Sequence, residues 1–223
     1  MKRVLIGLLA ALAVLSCNQR GTEPFRTGDL VFVGLPEEST ASQVTMEGAI
    51  AASTHDGSHL NLIHVAILEV DSQDSLWIID VTITHGVMRS PLKSFFKEFT
   101  RRNGSLPEMM VMRLKDPSHA AEYVENAKAF MGEPYDFNFL PDNGAMYCSE
   151  LVYDSYVEPD GTHVFECYPM NFKNDEGEFS PYWIRLFDRI QAPIPQGVIG
   201  TNPQNMYKSE ALRPVNNSLT EQI

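Results

Sequence analysis

Short apolar runs and helical periodicities are interleaved along the whole chain. Apolar runs bounded by polar or glycine-rich turns predict strands at 29–33, 62–70, 76–82 and 109–114. Only the polar stretch 71–75 separates the second run from the third, so these two predict an antiparallel hairpin.

Apolar positions three and four residues apart predict helices in the remaining segments. These segments are 40–53, 91–103, 117–131, a helix starting near 148, and an apolar block at 182–190. Serine or aspartate followed by proline opens two of them, and glycine follows their ends. The tail after Ala192 is irregular in pattern. The expected fold class is α+β, with a mainly antiparallel sheet packed against helices.

The N-terminus has the pattern of an export signal. Lys2 and Arg3 precede an apolar run at 4–15, which is too short to cross a bilayer as a helix. The junction Val14-Leu15-Ser16-Cys17 resembles a bacterial lipobox, which implies cleavage before Cys17 and attachment of lipid to that residue. An ordinary secretory signal with an incidental cysteine is the alternative.

Length and apolar content set the domain organisation. With 223 residues, 43% of them apolar, the chain can bury one full core. We expect a lipoprotein signal peptide at 1–16, a tether at 17–27 and a single folded domain at 28–223. The expected location is the bacterial cell envelope, as a membrane-anchored lipoprotein that faces the periplasm.

The chain is acidic. Its formal net charge is −12, and loss of the signal peptide would make it −14 because Lys2 and Arg3 leave with it. Nucleic-acid affinity rests on neutralising phosphates, so this charge argues against a nucleic-acid partner and also against a polybasic membrane patch. Any contact with the membrane is expected to run through the N-terminal lipid.

Cys148 is the strongest candidate for chemistry. It stands at the predicted start of an amphipathic helix, in the block Met146-Tyr147-Cys148-Ser149-Glu150. Unpaired N–H groups at a helix start favour thiolate over thiol, and they can also accept the negative oxygen of an acyl-transfer transition state. Cys148 is therefore a candidate nucleophile, and its own backbone N–H is a candidate oxyanion donor.

A cysteine nucleophile needs a base, and the base needs an orienting acceptor. His64 lies within the apolar run 62–70, and Asp80 is the polar side chain in the run 76–82. A buried carboxylate is costly unless it is paired, so Asp80 beside His64 would satisfy both side chains. Separately, each has a structural explanation, since His64 can be a core histidine and Asp80 can lie at a strand end.

Other residues leave alternatives open. Cys148 and Cys167 could form a disulfide in an oxidising compartment. His55 and His59 could join His64 at a metal, although Gly57 breaks the helix needed to align them, and a solvated loop is the expected structure. No metal site and no cofactor are expected, because the sequence contains no phosphate-binding or dinucleotide-binding motif.

Aromatic residues near Cys148 suggest a binding wall. Tyr135, Phe137 and Phe139 alternate before a turn-rich stretch, and Tyr147 directly precedes the cysteine. Tyr135 and Tyr147 are therefore candidate substrate-binding residues. Simple core packing is the alternative.

Several motifs together resemble one family. Gly28-Asp29-Leu30, His64-Val65-Ala66, Asp80, Gly86-Val87 and Tyr147-Cys148-Ser149-Glu150-Leu151 are similar to the YiiX-type permuted papain-like amidases of the NlpC-type cysteine peptidase superfamily. The resemblance covers roughly residues 25–212 and implies a circularly permuted papain-like fold. It assigns Cys148 as nucleophile and His64 as base. Asp80 stands where the family more often has glutamate, and two extra residues separate it from Gly86, so His85 is the alternative partner of His64.

The resulting hypothesis is a lipid-anchored cysteine hydrolase of the cell envelope that cleaves an amide of peptide or γ-glutamyl type. The superfamily also suggests an acyltransferase or lipid esterase, with lipid-derived substrates. A non-catalytic envelope binding protein is the alternative from another class. The sequence leaves the scissile bond and the oligomeric state open.

Overall fold

A six-stranded antiparallel sheet forms the centre of the protein. The computed structural model describes residues 22–36, 43–103 and 107–222. The strands are β1 (Asp29–Pro36), β2 (Leu60–Val70), β3 (Leu76–Thr82), β4 (Gly86–Pro91), β5 (Glu108–Leu114) and β8 (Leu212–Pro214). They lie in the order β4-β3-β2-β1-β5-β8, and every neighbouring pair is antiparallel.

Helices cover both faces of this sheet. They are α1 (Met46–Thr54), α2 (Leu92–Asn103), α3 (Ala120–Ala129), α4 (Cys148–Ser155), α5 (Pro181–Ile190) and α6 (Pro203–Tyr207). A second small sheet pairs β6 (Tyr168–Pro169) with β7 (Ile199–Gly200). The α+β class with a mainly antiparallel sheet is confirmed.

Side chains on successive strand positions point to opposite faces, and the two faces have separate cores. Val65 and Ile67 of β2 belong to the core shared with α3, α4 and α6. Ala66 and Leu68 belong to the core under α2, with Phe95, Phe96 and Phe99. A third cluster, centred on Trp183 of α5, lies beside α1 and the β6–β7 pair.

The hairpin of β2 and β3 determines where the site lies. Its pairing runs from Val70 opposite Leu76 to Ile67 opposite Ile79 and then stops, although both strands continue. His64 and Asp80 lie in the stretch beyond the last pair. The separated strands leave backbone groups of β2 free to face another element.

Several predicted boundaries change. The helix expected at 40–53 begins at Met46, because Thr45 caps it by accepting a hydrogen bond from the N–H of Gly48 (3.2 Å). Residues 40–42 lie outside the described residues. The tail after Ala192, expected to be irregular, contains β7, α6 and β8. These elements are too short to show a helical or alternating pattern of apolar residues.

The expected tether at 17–27 ends too late in the sequence. Within it, the N–H of Glu23 donates to the Asn216 carbonyl (3.0 Å), and Phe25 packs against the α2 core. The hydroxyl of Thr27 donates to the carbonyl of Val70 (3.1 Å). The folded unit therefore starts by Glu23 rather than at Gly28.

The signal-peptide region and Cys17 fall outside the described residues. Within the part that the structure describes, no helix combines the length and apolarity needed to cross a membrane.

Candidate active site

His64 and Asp80 meet in the gap between β2 and β3. The Nε2 atom of His64 lies 3.2 Å from Oδ2 of Asp80, and their side chains are 13% and 5% exposed. On its other side the imidazole packs against Phe99 and Phe95 of α2, at ring-centroid distances of 5.3 and 6.1 Å. Packing and the carboxylate together fix the orientation of the ring and leave Nδ1 as its second hydrogen-bonding atom.

Cys148 reaches the same gap from α4. It is the first residue of that helix and is 8% exposed. It lines one cavity together with His64 and Asp80, and the imidazole of His64 and the backbone N–H groups of Val65 and Ser149 stabilise its thiolate. The Val65 N–H is available because β2 has no pairing partner in β3 at that position.

The thiol and the imidazole form a polarised pair. Burial alone would raise the pKa of Cys148, but the charge and hydrogen bond of His64 and the two backbone N–H groups outweigh it and lower that pKa. Burial would likewise lower the pKa of His64, yet the Cys148 thiolate and the Asp80 carboxylate raise it above its ordinary value. Both shifts favour thiolate and imidazolium at neutral pH.

Cys148 also stands at the junction of two cavities. The larger, about 380 Å³, is lined by His64, Asp80, His85 and residues of α2. The smaller, about 60 Å³, is lined by Tyr147, Trp183 and residues around β6 and β7. Substrate therefore has access to the sulfur from both sides.

The two candidate substrate-binding tyrosines occupy different positions. Tyr135 lines both cavities, and its hydroxyl contacts Sδ of Met46 at 3.5 Å. Burial raises the pKa of Tyr135 well above its ordinary value, so the hydroxyl keeps its proton and can donate it. Tyr147 lines the smaller cavity, and its hydroxyl accepts the N–H of Thr201 (3.1 Å).

Two alternatives from the sequence concern His85 as the partner of His64 and a disulfide between Cys148 and Cys167. His85 is exposed on the rim of the larger cavity, and its backbone N–H donates to Thr82 (3.0 Å); Asp80 is the acid beside His64. Cys148 and Cys167 are both free thiols, so the disulfide alternative is not formed.

His55 and His59 do not join His64 in a cluster. His55 instead contacts the amide oxygen of Asn61 through Nδ1 (2.8 Å). Among the described residues, no group of three or more His, Cys, Asp or Glu side chains is placed to hold a metal ion.

Two features of the site have no signal in the sequence pattern. The N–H of Val65 becomes a donor to sulfur only because two strands separate. The wall of the smaller cavity includes Met170, Asn171 and Thr201, which lie in segments without helical or strand periodicity. The Gly86-Val87 pair likewise has no local signal of its own and is singled out only by the family resemblance.

A thiol at a helix start, an imidazole on a strand and a carboxylate on the next strand are the parts of a papain-like cysteine hydrolase, here in the order histidine, acid, cysteine. Comparison with known proteins agrees with this class. The model of the permuted papain-like amidase enzymes, the YaeF/YiiX or C92 family, matches residues 25–216. The chain belongs to this family and is a papain-like cysteine amidase or peptidase.

Two individual proteins are similar to this chain. The uncharacterized protein YiiX of Escherichia coli K12 is 23% identical over 194 residues, which cover 85% of each chain. A crystal structure described as metalloprotein yiiX from Escherichia coli O157:H7 superposes with a TM-score of 0.63 at 20% identity. That match covers 88% of this chain and 99% of the other, and it supports the permuted papain-like fold.

Proposed function

We propose that this protein is a lipid-anchored hydrolase of the bacterial cell envelope that cleaves an amide bond of peptide or γ-glutamyl type. Cys148 is the nucleophile, His64 the general base and acid, and Asp80 the residue that orients His64. One observation carries the proposal: Cys148 shares a cavity with His64, and the His64 imidazole lies 3.2 Å from the Asp80 carboxylate.

The proposed reaction has an acylation step and a hydrolysis step, and His64 transfers the proton in each. The thiolate of Cys148 attacks the carbonyl carbon, and the pair of electrons of the C=O double bond moves to oxygen. His64 then gives its proton to the departing nitrogen as the C–N bond breaks, which leaves an acyl group on sulfur. Neutral His64 next removes a proton from water, and the resulting attack releases the acid and regenerates the thiol.

The negative oxygen of the intermediate needs donors. Cys148 is the first residue of α4, so its backbone N–H has no acceptor within the helix and points out of the helix start. The protonated Tyr135 hydroxyl lies on the cavity wall next to the sulfur and is a second donor in this proposal. Removing one such donor typically costs about 100-fold to 1,000-fold in kcat.

The proposed location and partners rest on the sequence alone. The basic start, the apolar run at 4–15 and the junction ending in Cys17 support export and lipid attachment. Substrates are then envelope peptides or other cell-wall fragments, with the membrane contacted through the lipid. No nucleic acid and no cofactor take part in the proposed reaction.

The central test compares the two described thiols. Purified protein is treated with substoichiometric iodoacetamide and mapped by mass spectrometry, and turnover is measured on a panel of cell-wall peptides and phospholipids. Cys148 should be alkylated first, and Cys148→Ala should be folded but inactive. Cys167→Ser is the matched control and should retain near-normal turnover.

A folded protein whose Cys148 resists alkylation, with no turnover of any substrate, would indicate a binding protein that keeps the fold. Turnover confined to the phospholipids would indicate the esterase or acyltransferase alternative.

A further inference from the structure

Cys148 separates two cavities whose chemistry differs. The larger contains His64 and Asp80, together with the carboxylates Glu47 and Glu98. Neither His64 nor Asp80 lines the smaller cavity, which meets the larger one at Cys148, Tyr135 and Ile63. The site is therefore asymmetric about its nucleophile.

This asymmetry gives the substrate a direction, provided that the proposed function holds. His64 must reach the leaving nitrogen to protonate it, so the amine part of the substrate lies in the larger cavity. The acyl part stays on the sulfur and must extend to the other side. The smaller cavity is consequently the place for the group attached to the carbonyl carbon.

The wall of the smaller cavity has no charge. None of the described residues lining it is Asp, Glu, Lys, Arg or His. Its polar side chains are amides and hydroxyls, such as Asn171 and Thr54, and its apolar side chains include Phe139 and Trp183. A carboxylate or ammonium held there would lose its hydration without gaining an opposite charge, which is costly.

The same cavity is small and its walls are packed. Its volume of about 60 Å³ compares with about 10–15 Å³ needed for one water molecule, so it holds a group of about four or five non-hydrogen atoms. Trp183 packs edge-on against Phe139 and Phe172 at 5.5 and 5.1 Å. A Cβ on Gly200 would lie 2.8 Å from both Met170 Sδ and the Tyr147 hydroxyl, so these segments already touch.

We infer that the smaller cavity selects a compact, uncharged acyl group and disfavours both long fatty acyl chains and acyl groups with a carboxylate. This narrows the proposed substrates to amides whose carbonyl side carries a small neutral group. Of the two amide types in the proposed function, it therefore favours the peptide type over the γ-glutamyl type, whose acyl group has a free carboxylate.

Nitrophenyl esters test this selectivity because the leaving group stays constant while the acyl group changes. We expect kcat/KM for p-nitrophenyl butanoate to exceed that for the octanoate by at least tenfold. The mono-p-nitrophenyl ester of succinic acid has the same four acyl carbons as the butanoate, with a carboxylate in place of the terminal methyl group, and it should also be at least tenfold slower. Octanoate or succinate rates equal to the butanoate rate would overturn the inference.

A methionine pair then locates the selectivity. Met170 lines only the smaller cavity, and Met88 lines only the larger one. Met170→Ala should raise the octanoate-to-butanoate ratio of kcat/KM at least fivefold, whereas Met88→Ala should leave that ratio unchanged whatever its absolute rate. Met170→Val is the milder enlargement if the alanine variant fails to fold. A ratio that changes with Met88→Ala but not with Met170→Ala would place the acyl group in the larger cavity and overturn the inference.

The two proposals fail differently in these assays. If no ester acylates Cys148, as judged by the mass of the intact protein, the proposed hydrolase function itself is contradicted. If Cys148 is acylated but shows no preference for short neutral groups, only the division of the substrate between the cavities is contradicted.

Discussion

At the scale of single residues, the Cys148–His64 pair is unusual because both groups are buried and both favour their charged forms. Neither charge would be stable alone in this environment, since burial shifts each pKa the opposite way. The pair therefore depends on both members and on the acceptor, Asp80, that holds the ring.

This dependence predicts a change in thiol titration. In a Cys167→Ser background, the rate of Cys148 alkylation by iodoacetamide should follow a pKa below the ordinary value of 9.0. His64→Ala removes the positive partner but keeps the burial, so the pKa should rise above 9.0 and alkylation at pH 7 should slow at least tenfold. Alkylation rate against pH is the measurement. Identical midpoints in the two proteins would show that His64 does not tune the thiol.

At the scale of elements, α4 has a reactive cysteine as its first residue and a buried acid, Glu150, in the same first turn. The carboxylate of Glu150 accepts the N–H of Tyr147 (3.3 Å), which holds the residue before the nucleophile. Burial raises the pKa of Glu150 to about 8 from its ordinary 4.5, and the nearby Asp136, Asp154 and Asp142 add to the rise. Glu150 is therefore mostly protonated in the folded protein at neutral pH.

The raised pKa makes stability depend on pH. Between pH 4.5 and about 8 the folded state holds a proton on Glu150 that the unfolded chain releases, so this residue lowers stability as pH rises. Glu150→Gln keeps an acceptor for Tyr147 without the charge. It should be close to wild type at pH 5 and roughly 2–4 kcal/mol more stable at pH 8.5, because one pKa unit corresponds to about 1.4 kcal/mol.

Urea unfolding at the two pH values measures this difference. The control is Glu176→Gln, at an exposed position, which should show no such pH dependence. A stability difference between Glu150→Gln and wild type that is the same at pH 5 and pH 8.5 would contradict the assignment of a buried, protonated carboxyl group.

The elements that the sequence predicts well are those whose pattern is local. The strand at Leu76–Thr82 has the predicted bounds, and the hairpin it forms with β2 was expected from the short polar turn. β4 and β8 were not predicted, since β4 overlaps the serine–proline start of α2 and β8 is only three residues long. Their pairing with β3 and β5 comes from tertiary contacts that no local pattern encodes.

The site divides along the same line. Cys148, His64 and Asp80 each stand out locally, as a thiol at a helix start and as polar side chains within apolar strands. The sequence left open whether Asp80 or His85 approaches His64, because the separation of β2 from β3 is not visible in either strand alone. The neutral cavity beyond Cys148 is lined by residues from seven separate segments of the chain, so no local pattern predicts it.

At the scale of the whole molecule, the N-terminal segment around Glu23 is hydrogen-bonded to the C-terminal segment around Arg213. Glu23 accepts hydrogen bonds from Arg213 (2.9 Å) and from the N–H of Asn216 (3.3 Å). The buried Arg113 binds Asp29 through Nε (2.6 Å) and the carbonyl of Pro24 through Nη2 (2.8 Å). Six peptide links separate Cys17 from Glu23, which is the first of the described residues with a hydrogen bond to the C-terminal segment.

A lipid on Cys17 would therefore hold the domain close to the membrane, since six extended residues span at most about 20 Å. Expressed in a bacterial host that processes lipoproteins, the protein should take up a labelled fatty acid and sediment with membranes. Cys17→Ala should lose the label, and Cys167→Ala should keep it. A mature protein whose first residue is not Cys17 would contradict lipid attachment there.

The chain order of the three polar side chains has a further consequence for biosynthesis. The ribosome makes the strands with His64 and Asp80 before it makes Cys148. Until α4 docks, the thiol has neither the Val65 N–H nor the imidazole beside it, so an incomplete chain carries an ordinary, weakly reactive cysteine.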